Sequence, residues 1–291
     1  MKEFEYLEPA TVAEACGLLK RYAGEARPYA GGAYLSIVMK QGLLQPKALV
    51  NIKKIKELKG IRFDRAEGLI LGALVTHHEI ETSALVREIF PILREVEREV
   101  ANIRVRNVGT VGGNLASGEP LTDLAQLFIS LDARIKVAGP SGERVMPLEE
   151  LFVDYYQTSL AEDEILTQVV IPPLPARSGI EYIRFSSSSV VDKPCVGVAA
   201  RVSLDPERKI SRAVRIVLGC VAPVPMRAQR AEAVLHGKPL RPELVEEAAA
   251  SAAQECSPMS DLRGSEKYKR AIVSILVKRA VRRAHERALA S

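Results

Sequence analysis

Two adjacent-glycine turns constrain this chain most. They lie in Pro28-Tyr29-Ala30-Gly31-Gly32-Ala33-Tyr34-Leu35 and in Thr110-Val111-Gly112-Gly113-Asn114-Leu115, and an apolar helical pattern follows each. Glycine lets backbone N–H groups approach a ligand with no Cβ in the way, and a helix N-terminus just beyond favours negative charge. A phosphate or diphosphate calls for that combination. Thr110, Asn114 and Ser117 add short polar side chains able to hydrogen-bond phosphate or ribose oxygens. The competing reading of each turn is a tight connection between strand and helix, and on these residues alone both readings stay open.

Rival chemistries lack their residues. No pair of glycines stands two apart, which excludes the G-x-G-x-x-G dinucleotide fingerprint. The span Gly113 to Gly118 has the spacing of a P-loop but continues with Glu119 where the lysine belongs. Neither G-x-S-x-G nor H-E-x-x-H occurs, so nucleophilic and metal-assisted hydrolysis have no support and no catalytic side chain is nominated. His77 and His78 are neighbours on a helical pattern and diverge by roughly a hundred degrees, which favours a structural role over a metal site or flavin attachment point. Cys16, Cys195, Cys220 and Cys256 are dispersed and form no C-x-x-C pair, so no zinc or iron–sulfur ligand set is readable.

The elements alternate. Thr11 and Glu14 cap a helix to about Tyr22, and Ala48 to Ile52 and Leu69 to Ala73 read as strands, the second closing a hairpin from Gly60 to Gly68. Thr76 and Glu79 cap a further helix around the histidines, and Leu85 to Val100 continues as helix with a break at Pro91. Leu121, Leu124, Ala125, Phe128 and Leu131 keep helical spacing, placing Asp123 in a first turn where it complements the helix dipole or accepts hydrogen bonds from a ligand. Strands are expected at Ala133 to Val137, Ile165 to Ile171, Tyr182 to Phe185, Val196 to Leu204 and Ala213 to Val221. Pro172-Pro173-Leu174-Pro175 marks a stiff linker and a domain boundary. Pro242 starts an alanine-rich helix to about Glu255. Ser265 starts the last helix, whose buried stripe is Val273, Leu276, Val277, Ala280, Val281 and Ala284. The basic run Lys278, Arg279, Arg282, Arg283 and Arg287 reads as its solvated face, with a docking surface as the alternative.

A net charge of +5 from interspersed signs does not point to nucleic acid. No apolar run is long enough to span a bilayer and no signal-peptide pattern opens the chain, so a reducing, cytoplasmic setting with free thiols is expected.

One ordered set of motifs resembles a known family. It comprises A-G-G-A-Y-L at 30–35, G-A-L-V-T-H-H-E-I at 72–80, T-V-G-G-N-L at 110–115 with P-x-x-D-L at 120–124, and Y-I-R-F at 182–185 with Asp192, and it extends to the helix around Tyr268 to Arg279. The set resembles the FAD-binding medium subunit of molybdenum hydroxylases, the group of the aerobic carbon monoxide dehydrogenase flavoprotein and the xanthine dehydrogenase flavin subunit. The resemblance implies an α+β fold of the vanillyl-alcohol-oxidase/PCMH type, with flavin subdomains over 1–52 and 53–175. Residues 176–291 would follow as a C-terminal α+β domain with a small antiparallel sheet and helices.

It further implies that Pro28, Tyr29, Ala30, Gly31, Gly32, Ala33, Tyr34 and Leu35 wrap the FAD diphosphate. Thr110, Val111, Gly112, Gly113 and Asn114 would form a second phosphate loop, Asp123 would hold a polar edge of the cofactor, and Leu166 and Arg184 would occupy further flavin-contacting positions. The expected partners are a [2Fe–2S] small subunit and a molybdopterin large subunit in a dimer of heterotrimers, with electrons passing on to NAD, O2, a quinone or another acceptor. Alternatives are a self-contained NAD(P)H-dependent flavin reductase on the same fold and a non-catalytic nucleotide-binding module. Three places depart from the family pattern: Ala33-Tyr34, where a hydroxyl or amide residue followed by Asp or Ser is common; Ser186 to Ser189, which replaces an arginine-rich segment; and Lys193-Pro194.

Overall fold

The structure is a computed structural model that describes residues 2–187, 189 and 192–291. Its contacts group into two units, Met1–Gly118 with Ala133–Ile171, and Glu119–Asp132 with Pro172–Ser291.

The first unit begins with β1 (Glu5–Leu7), α1 (Val12–Tyr22), β2 (Ala26–Tyr29), α2 (Leu35–Lys40) and β3 (Ala48–Asn51). These strands form a parallel sheet in the order β1-β3-β2, so α1 and α2 are crossovers. The Thr11 hydroxyl accepts the Glu14 N–H at 3.2 Å, and Glu14 reaches back to the N–H of Ala10 at 2.8 Å. Val12, Ala15, Cys16 and Leu19 are buried, the stripe expected from their spacing. The expected hairpin is β4 (Ile61–Asp64) with β5 (Gly68–Gly72), and the Thr76–Glu79 capping box opens α3 (His77–Thr82). The expected break falls between α4 (Ala84–Ile89) and α5 (Pro91–Glu97), where Pro91 takes the first helical position. Two short helices, α6 (Ile103–Arg106) and α7 (Val111–Ala116), lead to the second glycine pair and past it.

The remaining strands of this unit are β6 (Arg134–Gly139), β7 (Gly142–Pro147), the small hairpin β8 (Phe152–Asp154) and β9 (Gln157–Thr158), and β10 (Ile165–Ile171). An antiparallel sheet runs β4-β5-β10-β6-β7. β7 was not expected because it is an edge strand whose only buried residue is Met146, so it carries no alternating pattern.

In the second unit, α8 (Leu124–Ser130) packs on the antiparallel sheet β11 (Ser178–Phe185), β12 (Val196–Leu204), β13 (Ser211–Gly219) and β14 (Met226–Arg227). Three helices complete it: α9 (Gln229–Leu235), α10 (Pro242–Glu255) and α11 (Glu266–Ala290). α11 lies on β11 and β12, with Val273, Leu276, Val277, Ala280, Val281 and Ala284 buried, and Ser265 caps it through the N–H of Tyr268 at 3.2 Å. Its basic half is partly paired: Lys278 meets Glu246 at 3.2 Å and Arg287 meets Glu181 at 3.1 Å. Among the described residues no helix is long and apolar enough to cross a membrane.

Candidate cofactor site

In the first unit the two glycine turns are neighbours. Residues 108–112 run beside 73–77: the His77 N–H donates to the Gly109 carbonyl at 3.1 Å, Val111 N–H to Val75 at 2.9 Å and Gly112 N–H to Ala73 at 2.9 Å. Thr76 and Thr110 form an antiparallel bridge between these stretches. The first turn closes onto the same backbone, because a Cβ at Gly31 would lie 1.7 Å from the Val108 carbonyl oxygen. Only glycine permits that approach. Gly32 has φ 72°, and a Cβ there would meet the Tyr29 ring at 2.6 Å. Lys53 sits over the Tyr29 ring with its Nζ 4.5 Å from the centroid.

His77 is part of the support. Its side chain is 3% exposed and its Nδ1 lies 2.8 Å from Oε2 of the fully buried Glu97, so the ring ties α3 to α5 directly beside Gly109. Among the described residues no cluster of His, Cys, Asp and Glu is placed to hold a metal.

Donors in the two turns differ. None of the N–H groups of Ala30, Gly31, Gly32 and Ala33 donates to another group among the described residues. Successive unpaired N–H groups around a left-handed residue make a concavity suited to an anion. The second turn deviates from the sequence expectation, since its glycines lie inside the first turn of α7 rather than ahead of it. Thr110 is the N-cap, and its hydroxyl accepts the Gly113 N–H at 3.2 Å. The N–H groups of Val111 and Gly112 are taken by Val75 and Ala73, and that of Asn114 by the Thr110 carbonyl at 2.8 Å. What this turn can offer a ligand is therefore side-chain chemistry: the Thr110 hydroxyl proton and the Asn114 amide, whose Oδ1 is buried with no hydrogen-bond partner. The orphaned oxygen calls for a donor from outside the chain, such as a ligand hydroxyl, while the Asn114 NH2 group is the part able to donate to a phosphate. Leu166 is buried on β10, the strand against which α7 packs, next to the Thr167 carbonyl that accepts the Ala73 N–H at 2.9 Å. Pro28 to Leu35, Thr110 to Asn114 and Leu166 thus belong to one continuous scaffold, and its donor set fits a dinucleotide diphosphate.

Asp123 and Arg184 come together in the second unit. Asp123 stands at the N-cap of α8 but does not cap it. Its Oδ1 accepts the Tyr182 hydroxyl at 2.8 Å, and Arg184 Nε lies 3.5 Å from the same oxygen. Its Oδ1 is thus engaged in a buried charge cluster with Tyr182 and Arg184. Burial first, and then the Asp123 charge, push the Tyr182 phenol well above its ordinary range, and the same two causes push up the Cys220 thiol. Arg184 also donates to the Asp192 carbonyl and, at 3.3 Å, to Ser186 Oγ. Lys193 pairs with the buried Glu119. Of the serine run Ser186 to Ser189, Ser188 lies outside the described residues.

Sequence reasoning left Tyr182 without a role and missed Glu119 and Gln126. Gly197 and Gly219, register partners on β12 and β13, leave room for the Gln126 amide, which a Cβ would meet at 2.8 and 1.9 Å. A glycine inside a strand was the available signal for such a close approach.

Residues 2–174 match the family described as the FAD binding domain in molybdopterin dehydrogenase, and residues 181–284 the CO dehydrogenase flavoprotein C-terminal domain. The chain is 34% identical over 284 residues to the carbon monoxide dehydrogenase medium chain of Hydrogenophaga pseudoflava, covering 98% of each protein. A solved structure of that organism's carbon monoxide dehydrogenase lacking the Mo-pyranopterin moiety superposes with a TM-score of 0.94 at 35% identity, again covering 98% of each chain. A chain of quinoline 2-oxidoreductase from Pseudomonas putida 86 superposes with a TM-score of 0.91 at 31% identity, covering 99% of this chain and 100% of that one. The chain belongs to the FAD-binding flavoprotein family of the molybdopterin dehydrogenases, with FAD as its cofactor and oxidoreductase chemistry as its setting.

Proposed function

We propose that this chain is the electron-transfer subunit of a cytoplasmic molybdenum hydroxylase. It would take electrons from a separate [2Fe–2S] small subunit, reduced in turn by a molybdopterin large subunit, within a dimer of heterotrimers. An external acceptor, NAD, O2, a quinone or another carrier, would receive them. The observation that carries the reading is the concavity of N–H groups at Ala30 to Ala33, unpaired among the described residues and locked against the Val108–Gly109 backbone. When bound, FAD supplies the exchange between one-electron and two-electron donors and acceptors.

The residues of the chain hold and orient. The 30–33 N–H groups and the Thr110 and Asn114 side chains bind the diphosphate, Leu166 backs the site from β10, and Asp123 with Arg184 holds a polar edge of the cofactor. In this reading 1–52 and 53–175 are the flavin-gripping subdomains and 176–291 is the C-terminal domain. The four cysteines are dispersed along the chain and buried, so the iron–sulfur centre is assigned to another subunit. The similar chains come from enzymes named for carbon monoxide and for quinoline, which supports placing substrate choice on the molybdenum subunit.

The full chain expressed with flavin available should retain one FAD and co-purify with iron- and molybdenum-containing subunits when its gene neighbours are expressed alongside. A colourless chain whose thermal transition ignores added FAD would favour the nucleotide-binding module instead. Rapid NAD(P)H-driven turnover of a small substrate by the lone chain would favour the flavin reductase.

A further inference from the structure

We infer that Tyr34 and Tyr156 form a positioning pair that fixes the diphosphate-binding turn; this inference rests on the FAD reading above. The turn at Ala30 to Ala33 is held at two points by backbone. On its inbound side β2 pairs with β3, Pro28 opposite Val50 and Tyr29 opposite Asn51. In its middle Gly31 rests on the Val108 carbonyl. Its outbound side runs into α2, which is six residues long and buries Met39 alone, with Ile37 54% exposed. A helix so short has little stability of its own. Its N-cap residue Tyr34 makes no side-chain capping hydrogen bond. The ring of Tyr34 instead stacks on that of Tyr156, centroids 6.3 Å apart and planes 10° from parallel.

Tyr156 is a deliberate anchor. It sits at the tip of the β8–β9 hairpin in the left-handed region, φ 58°, which side chains with a Cβ rarely occupy. Its N–H donates to the Gly118 carbonyl at 3.0 Å, and Gly118, itself at φ 59°, is packed so closely that a Cβ would lie 2.9 Å from the Gln157 nitrogen. Gly118 follows directly on the turn that ends α7. The hairpin tip therefore joins the far end of the second glycine motif to the far end of the first. The stack fixes the direction in which the four unpaired N–H groups point before the cofactor arrives, and that preorganisation is read as affinity. It also gives Tyr34 a purpose at a position where the resemblance leads one to expect a small polar residue.

The test uses the full chain stripped of flavin, with FAD affinity measured by flavin fluorescence quenching and thermal stability measured without FAD. Tyr156→Gly removes the ring at a backbone conformation glycine adopts freely, so the thermal midpoint should hold or rise while Kd for FAD weakens by about tenfold or more. Tyr156→Phe keeps the stack and should bind FAD within about twofold of the unsubstituted chain. Tyr34→Leu should reproduce the loss, and the double variant should be no worse than either single one. The inference is overturned if Tyr156→Gly and Tyr34→Leu bind FAD within about twofold of the unsubstituted chain, or if their losses multiply in the double variant. It is equally overturned if affinity falls only together with the thermal midpoint, which is what a merely structural role produces. Failure of the unsubstituted chain to take up FAD at all would strike at the cofactor reading itself.

Discussion

Gly113 offers the cleanest separation of fold from cofactor. It is exposed in the first turn of α7, and a Cβ there would meet only the Thr110 hydroxyl, at 2.9 Å. In Gly113→Ala the gain from replacing glycine inside a helix, roughly 0.5–1 kcal/mol, offsets most of the cost of disturbing the Thr110 cap, about 1 kcal/mol. Stability should therefore stay within about 1 kcal/mol of the unsubstituted chain. Flavin affinity responds differently. If the diphosphate rests beside Gly113 as proposed, a methyl group there would hold it off and weaken one or two charge-assisted hydrogen bonds, each worth roughly 1.5–3 kcal/mol. That corresponds to a loss of about tenfold to a hundredfold or more, larger for Gly113→Val. Gly112→Ala is the contrasting control: its Cβ would lie 2.6 Å from the Ala73 Cβ and 2.8 Å from the Ala73 oxygen. Overpacking of this kind costs about 1–3 kcal/mol, so the thermal midpoint should fall. Both variants are to be scored by calorimetry without flavin and by FAD titration of the stripped chain. A Gly113→Val protein with full flavin occupancy and unchanged Kd would refute the reasoning and return the motif to an ordinary helix start.

Other expectations bear on the supports. Glu97→Ala strands the buried His77 ring without its partner at 2.8 Å and should cost about 1–3 kcal/mol of the first unit's stability, whereas Glu97→Gln keeps an acceptor and should cost less; chemical denaturation of the two variants decides it. Burial pushes Asp132 up, but Arg201 and Arg215 more than offset it and hold the carboxyl below its ordinary value. A lowered folded value means stability present above the unfolded value, about pH 3.9, and lost as pH falls through the folded one. Asp132→Asn should flatten that acid-side slope in urea midpoints; because the carboxylate is 44% exposed, the effect should be modest and shrink with salt. Burial pushes the Cys16 thiol up to about 11 and raises Cys195, Cys220 and Cys256 as well. The folded chain at mildly alkaline pH should resist a thiol reagent that labels all four cysteines after unfolding, and fast stoichiometric labelling of a native cysteine would contradict the burial described.

Much of the fold was legible where local chemistry and tertiary structure agree. Thr11, Thr76, Pro91, Pro242 and Ser265 each begin a helix at the place their capping or ring chemistry dictates. What stayed hidden depends on long-range pairing. β7 shows no period because one of its faces is solvent and the other buries Met146 alone. The grouping of Glu119–Asp132 with Pro172–Ser291 leaves no local trace either, since it is written in partners far along the chain: Lys193 for Glu119, Tyr182 and Arg184 for Asp123, Arg201 and Arg215 for Asp132. Each half of such a pair is an ordinary polar residue until its counterpart is located.

The glycine motifs show why site and scaffold are hard to tell apart from residues alone. Gly31 is glycine because the Val108 carbonyl occupies the space of its Cβ, Gly32 because its φ is 72°, and Gly112 because Ala73 packs on it. All three would be required whether or not a cofactor were present. Their requirement does not weaken the binding reading, because the contacts that forbid a Cβ at Gly31 also press the first turn onto the second, where four N–H groups have no acceptor among the described residues. Gly113 is the least constrained of the four, with no left-handed φ and only the Thr110 hydroxyl 2.9 Å from where its Cβ would lie, and it stands beside the Asn114 amide oxygen, which lacks a donor. Where a glycine is little constrained by its surroundings and a neighbouring acceptor is unsatisfied, the residues point to a ligand that brings a donor, and the FAD proposed for this site carries hydroxyl groups as well as its diphosphate.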